Sequence, residues 1–335
     1  DLLQSLDAVR RYGTAQPGKV SGVSSYFIKN LSEQSTYHAA VVVRDEAGNE
    51  TFVGSANFTT LASDTTPPTS PSININGNAS YTTGTSVTLT LSAGEADQMY
   101  ITNSAGCATG GTWETYGTSK PWTLSQSNST ATVYVKFKDL VGNETSCVSD
   151  SISHDNIAPQ TPVIADASKT FNASFSTLIQ QGSPTDTNFK EFRYTTNGID
   201  PTCTTGSALS TVPASVTIPA STTTLKVLAC DQAGLASALA QATYTFDNVR
   251  PSVTLSSTSA ATTNISPIPI TITFSKAVTG FTASDLTLVN GMASGFSGTG
   301  LTYSVNVTPS GDGAVTVNVA ADVAVDTANN GNTAA

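Results

Sequence analysis

The sequence predicts an all-β chain, built as tandem two-sheet β-sandwiches arranged end to end as a rod. Three observations carry this. Short runs rich in Val, Thr, Ile and Tyr are punctuated by clusters of Gly, Asn, Asp and Pro, and Leu-rich helical periodicity is nearly absent. Inside those runs apolar and polar residues alternate, as in a strand with one buried face. Two phrases also recur along the chain at one period of about 90 residues.

The first phrase is a strand followed by a tight turn. It reads "VVVRDEAGNETF" at 41–52, "VYVKFKDLVGNETSC" at 133–147, "LKVLACDQAGLAS" at 225–237 and, more worn, "VAADVAVDTANNGNT" at 319–333. Its acidic residues Asp45, Asp139, Asp231 and Asp326 are spaced by 94, 92 and 95 residues. The second phrase carries proline: "DTTPPTSP" at 64–71, "DNIAPQTP" at 155–162 and "DNVRPSV" at 247–253, with Asp64, Asp155 and Asp247 spaced by 91 and 92. Proline cannot donate to a central ladder and stiffens a linker, so these phrases mark joints. The expected organisation is a partial domain over 1–63 and sandwiches over 64–155, 156–247 and 248–335. The last of these stops where its final strand is expected.

Each strand follows from its alternation. "SVTLTLS" (86–92) places Val87, Leu89 and Leu91 on one face, and "ATVYVKFKD" (131–139) places Val133, Val135 and Phe137 inward. "PITITFS" (269–275) and "AVTVNVA" (314–320) repeat the pattern. About seven such strands per repeat make a two-sheet sandwich. The recurring phrase is then the penultimate strand, a turn and the last strand. Asp can bond the backbone two residues on and Gly accepts positive φ, so D-x-x-G-N shapes that turn.

Shaping the turn is one reading of the acidic residues, and topology adds another. The last strand must finish at the exit pole of its domain, so the preceding turn lies at the pole where the chain comes in. Asp139 is therefore expected to face Asp64, Asp231 to face Asp155, and Asp326 to face Asp247. Paired carboxylates with carbonyls and Asn side chains, and no His or Cys, are hard donors suited to Ca²⁺ at the interdomain junctions.

The four cysteines, Cys107, Cys147, Cys203 and Cys230, fall two in each of two repeats. This favours two disulfides, Cys107 with Cys147 and Cys203 with Cys230, and an oxidising compartment; buried free thiols are the other reading. Zinc would want tighter spacing or histidine help, and the two histidines, His38 and His154, are isolated. No G-x-S-x-G, H-E-x-x-H, P-loop or dinucleotide signature occurs, so no catalysis is expected. A net charge of −10 disfavours nucleic acid and anionic membrane surfaces. No apolar run reaches the roughly 20 residues needed to span a bilayer. Trp113, Tyr116 and Trp122 cluster in "TWETYGTSKPWTL". They read either as core and loop packing or as a platform for a glycan.

Several segments resemble known modules. "NLSEQSTYHAAVVVRDEAGN" (30–49) is similar to the end of a fibronectin type III domain. "GGTWETYGTSKPWTLSQSNSTATVYVKFKDLVGNETSC" (110–147) is similar to bacterial immunoglobulin-like repeats of surface proteins. "FRYTTNGIDPTC" with "TTLKVLACDQAGLAS" (192–237) resembles the C-terminal immunoglobulin-like module of chitobiase and β-hexosaminidase. "PITITFSKAVTGFTASDLTLVNG" (269–291) resembles the immunoglobulin-like repeat of biofilm-associated adhesins. The resemblance implies a non-enzymatic stalk of a larger bacterial protein, cell-surface or secreted, presenting a tip that meets a host or cell-surface protein or a glycan. It also implies calcium at the joints, while the cysteines depart from most such repeats. The alternatives are an array of carbohydrate- or partner-binding modules, and an accessory spacer of a secreted polysaccharide-degrading enzyme.

Overall fold

A computed structural model describes residues 31–335. The first 30 residues of the expected partial domain, with Asn30 of its quoted motif, lie outside the described residues. Among those described, the regular structure is β apart from single 3₁₀ turns at Ala105–Cys107 and Ala283–Asp285. No helix among them is long and apolar enough to cross a membrane. Backbone contacts divide the chain into two compact units. The first holds the described residues up to Asn78 with Ser86–Leu124 and Thr132–Ser151; the second holds Ala79–Thr85, Ser125–Ala131 and Ile152–Ala335.

The first unit opens with the hairpin Thr36–Arg44 and Glu50–Thr59, kinked by a bulge at Val41/Val42. Two sheets follow. One orders Thr69–Ile75, Ser86–Gly94 and Ser119–Thr123; the other orders Val148–His154, Ser129–Lys138, Gln98–Thr102 and Trp113–Thr115. The alternation read from the sequence is the burial pattern. Val87, Leu89 and Leu91 of one sheet are buried, as are Val133, Val135 and Phe137 of the other. Each fully buried side chain of this size contributes about 1.5–3 kcal/mol by leaving water.

In the second unit, Tyr81–Thr82 runs parallel to the end of Val148–His154, with Tyr81 opposite Ser153. The next sandwich repeats this plan. Lys169–Phe171 runs parallel to Ala240–Phe246, and the sheet continues through Thr223–Asp231, Phe189–Thr195 and Ser207–Leu209. The sheet Val163–Ile164, Phe175–Gln180 and Ala214–Ile218 supplies the other layer. Its core joins Ile179, Phe192, Val216, Leu225, Val227 and Tyr244. Phe171, Phe175 and Tyr244 meet edge to face there.

The last sandwich orders Val253–Ser257, Ile268–Val278 and Gly291–Pro309 in one sheet and pairs Leu286–Val289 with Thr316–Val319 in another. Ile272, Phe274, Tyr303, Val305, Val307 and Val319 fill its core. The chain's end is tied in: Thr333 N donates to the Pro251 carbonyl, and Val319 and Ala335 exchange both backbone bonds. The protein is thus a tandem array of immunoglobulin-like β-sandwiches.

Candidate functional site

The recurring acidic phrase builds one turn four times. In each, the Asp N–H donates to the carbonyl four residues on: Asp45 to Asn49 (3.0 Å), Asp139 to Asn143 (3.2 Å), Asp231 to Leu235 (3.1 Å) and Asp326 to Asn330 (3.1 Å). The residue three on donates back to the Asp carbonyl and takes positive φ. Gly48, Gly142 and Gly234 fill this place at 88°, 99° and 87°, and Asn329 at 65°. Glycine suits it because a Cβ is disfavoured there, and Asn is among the side-chain-bearing residues that tolerate it best.

The carboxylates lock these turns from inside. One oxygen, Oδ1, accepts the N–H four residues on, at 2.8 Å for Asn49, 2.9 Å for Asn143, 2.8 Å for Leu235 and 2.9 Å for Asn330. The other oxygen, Oδ2, accepts the side-chain amide of that residue wherever it is Asn: 2.8 Å at Asn49, 2.8 Å at Asn143 and 3.1 Å at Asn330. In the third repeat Leu235 stands where the others carry Asn, and the Asp231 Oδ2 is buried without a hydrogen-bond partner. This single change separates one turn from the rest.

The same Asn amides reach the proline-bearing linkers. Asn143 Nδ2 donates to the Asp64 carbonyl at 3.0 Å, and Asn330 Nδ2 to the Asp247 carbonyl at 2.9 Å. In the middle junction Leu235 cannot do this, and Asn188 takes over. Its amide donates to Asp155 Oδ2 at 2.7 Å while its carbonyl accepts the Gln232 N–H at 2.8 Å. The linker aspartates make a turn of their own, each Oδ1 accepting the N–H two residues on: Thr66 (2.9 Å), Ile157 (3.0 Å) and Val249 (3.0 Å). Asp64, Asp155 and Asp247 are therefore gathered with the turns of Asp139, Asp231 and Asp326, as the topology requires.

The electrostatics of the junctions differ. Asp45 is held below the ordinary carboxylate range, first by the Asn49 amide. At Asp139 burial pushes upward but is outweighed by the Asn143 amide and the N–H groups of Asn143, Gly142 and Val141, so the net direction is down. Asp326 is likewise down: burial opposes, and the bonds from Asn330, Lys276 and Ala328 prevail. Asp247 is lowered chiefly by Lys276. Asp231 alone of this group goes up: burial is the main cause, the Leu235 N–H opposes, and the charges of Asp155 and Asp186 add to the rise.

Among the described residues, no three His, Cys, Asp or Glu side chains converge to hold a metal ion. The oxygens of Asp139 are taken by its own turn. Those of Asp247 and Asp326 are shared with Lys276. Asp231 differs from both: its Oδ2 has no hydrogen-bond partner, and the carboxylates of Asp155 and Asp186 act on it. Beside it a cavity of about 220 Å³ is lined by Asp155, Asp186, Asn188 and Asn128 among others.

Both disulfides are formed, Cys107 with Cys147 and Cys203 with Cys230. Each fastens a loop beside a junction turn: Cys147 lies four residues after Asn143, and Cys230 immediately precedes Asp231. The aromatic trio is dispersed. Tyr116 packs edge to face on core Phe137, and its hydroxyl accepts the Ala93 N–H at 3.3 Å. Trp113 lies in one sheet, against Tyr100 and under Lys138, and Trp122 lies in the other, donating to Asn103 Oδ1 at 3.0 Å. Of the histidines, His38 bonds Asn57 on the hairpin, and buried His154 accepts the Asn128 N–H through Nδ1.

Residues 247–335 match a family model described as "Bacterial Ig-like domain". No curated protein matches the chain. Solved structures similar to it include the fibronectin(III)-like modules of Clostridium thermocellum CbhA, with 9% identity, 52% of this chain and 94% of that one covered, and a TM-score of 0.37. The FN1–FN3 domains of chicken CNTN1 are similar at 13% identity, covering 62% of this chain and 77% of that one, with a TM-score of 0.32.

Proposed function

We propose that this chain is a non-catalytic spacer of an extracellular bacterial protein, cell-surface or secreted, that holds a binding tip away from its anchor. The observation that supports this most is the tie between turn and linker at each of three junctions, where the Asn143 and Asn330 amides bond the Asp64 and Asp247 carbonyls and Asn188 bonds Asp155. Side chains that could do chemistry are spent on holding adjoining segments together. The match of residues 247–335 to a bacterial Ig-like domain and the two disulfides agree with an oxidising, extracellular setting. Calcium belongs to this reading at the Asp155–Asp231 junction, where an oxygen lacks a partner.

Deleting residues 156–247 from the whole protein tests it. The expected result is a shorter reach from the surface with the affinity of the tip unchanged. Loss of binding itself would move the recognition function into the deleted repeat and contradict the spacer reading.

A further inference from the structure

Lys276, on the strand Ile268–Val278, points its ammonium into the last junction. It donates to Asp247 Oδ1 at 2.8 Å, Asp247 Oδ2 at 2.7 Å, the Val249 carbonyl at 2.5 Å and Asp326 Oδ2 at 3.3 Å. Three carboxylate oxygens and a carbonyl, drawn from the linker and the turn, are the donor chemistry a hard cation takes. Here an ammonium carried by the chain's own strand fills it.

We propose that Lys276 is a tethered counter-ion that stands in for a soluble cation, so that the Asp247–Asp326 junction closes without metal. Three features separate it from an ordinary surface pair. The Asp326 side chain is only 2% exposed, so its charge needs a partner where water is scarce. The lysine joins carboxylates from two segments, whereas Lys120 and Lys136 each meet one. And Asn330 already ties Asp326 to the Asp247 carbonyl, so the ammonium closes a ring of contacts around the same two aspartates. Among the described residues no lysine bonds the middle junction: Val253 pairs with Phe274, two before Lys276, and Val163 pairs with Gln180, two before Gly182. The two junctions therefore meet one charge problem differently, the last with a lysine ammonium shared by both carboxylates and the middle with the Asn188 amide on Asp155.

Hydrogen-exchange mass spectrometry on the full chain tests this, read on peptides covering 245–252 and 322–333. Wild type is expected to exchange equally in millimolar Ca²⁺ and in chelator at both peptides. Lys276→Met is expected to exchange about tenfold faster there in chelator, matching the loss of bonds to charged groups. Lys276→Arg, which keeps the charge, recovers most of the protection. Slower wild-type exchange in Ca²⁺ at both peptides would overturn the proposal, because a soluble cation would then share those oxygens. So would a methionine variant as protected as wild type. The wild-type comparison decides by itself should the methionine variant not fold.

Discussion

Asp231 and Asp139 hold the same backbone turn with opposite electrostatic consequences. Burial raises Asp231 first, the charges of Asp155 and Asp186 add to the rise, and Leu235 in place of Asn143 leaves out the side-chain amide that outweighs burial at Asp139. A lowered carboxylate such as Asp139 stabilises the fold above its unfolded pKa and loses that contribution as pH falls through the folded one. A raised carboxylate such as Asp231 does the reverse: its contribution is complete below the unfolded pKa, near 3.8, and is lost as pH rises through the folded value. Wild type should therefore gain stability relative to Asp231→Asn as pH falls from 7 to 4. Calorimetric melting of the two proteins across that range checks it, and a constant or shrinking gap counts against it. Supplying the missing donor is the complementary change. Leu235→Asn should stabilise by about 1 kcal/mol, the net value of one satisfied hydrogen bond, read as a higher midpoint in urea.

At the scale of elements, strands were legible because alternation is a local property. Val133, Val135 and Phe137 announce a buried face without reference to anything distant. The turn was legible for the same reason: Asp and Gly three apart dictate it. What the Asn side chain bonds was not legible, because the Asp64 carbonyl lies 79 residues from Asn143 and offers no side-chain signal. Lys276 was invisible for a like reason, reading as an ordinary strand residue until the fold turns it toward Asp247 and Asp326. Nearness in sequence also misleads: Trp113 and Trp122 are nine apart yet belong to different sheets, because the chain crosses between layers from one to the other. The disulfides act at this scale too. With sequence separations of 40 and 27, each should contribute about 3–4 kcal/mol in the chain-entropy model. Paired Cys203→Ser and Cys230→Ser changes are expected to lower urea stability by that amount. A loss below about 1 kcal/mol would mean that the bridge is strained or the unfolded chain already constrained.

At the scale of the whole molecule, the four copies of one turn give the sequence repeat its physical content. The same Asp-based lock is rebuilt in each repeat, and the junctions vary by which side chain completes it: Asn143, Asn188 or Asn330 with Lys276. A spacer needs such junctions to resist bending, and proline in each linker serves the same end. The spacer reading is met most directly by small-angle X-ray scattering of the full chain in dilute solution. A compact globule of this length has a radius of gyration of about 20 Å, and an unfolded chain about 65 Å. A spacer of this kind is expected to be folded, with a value well above the first and below the second. A folded protein measuring near 20 Å would contradict it.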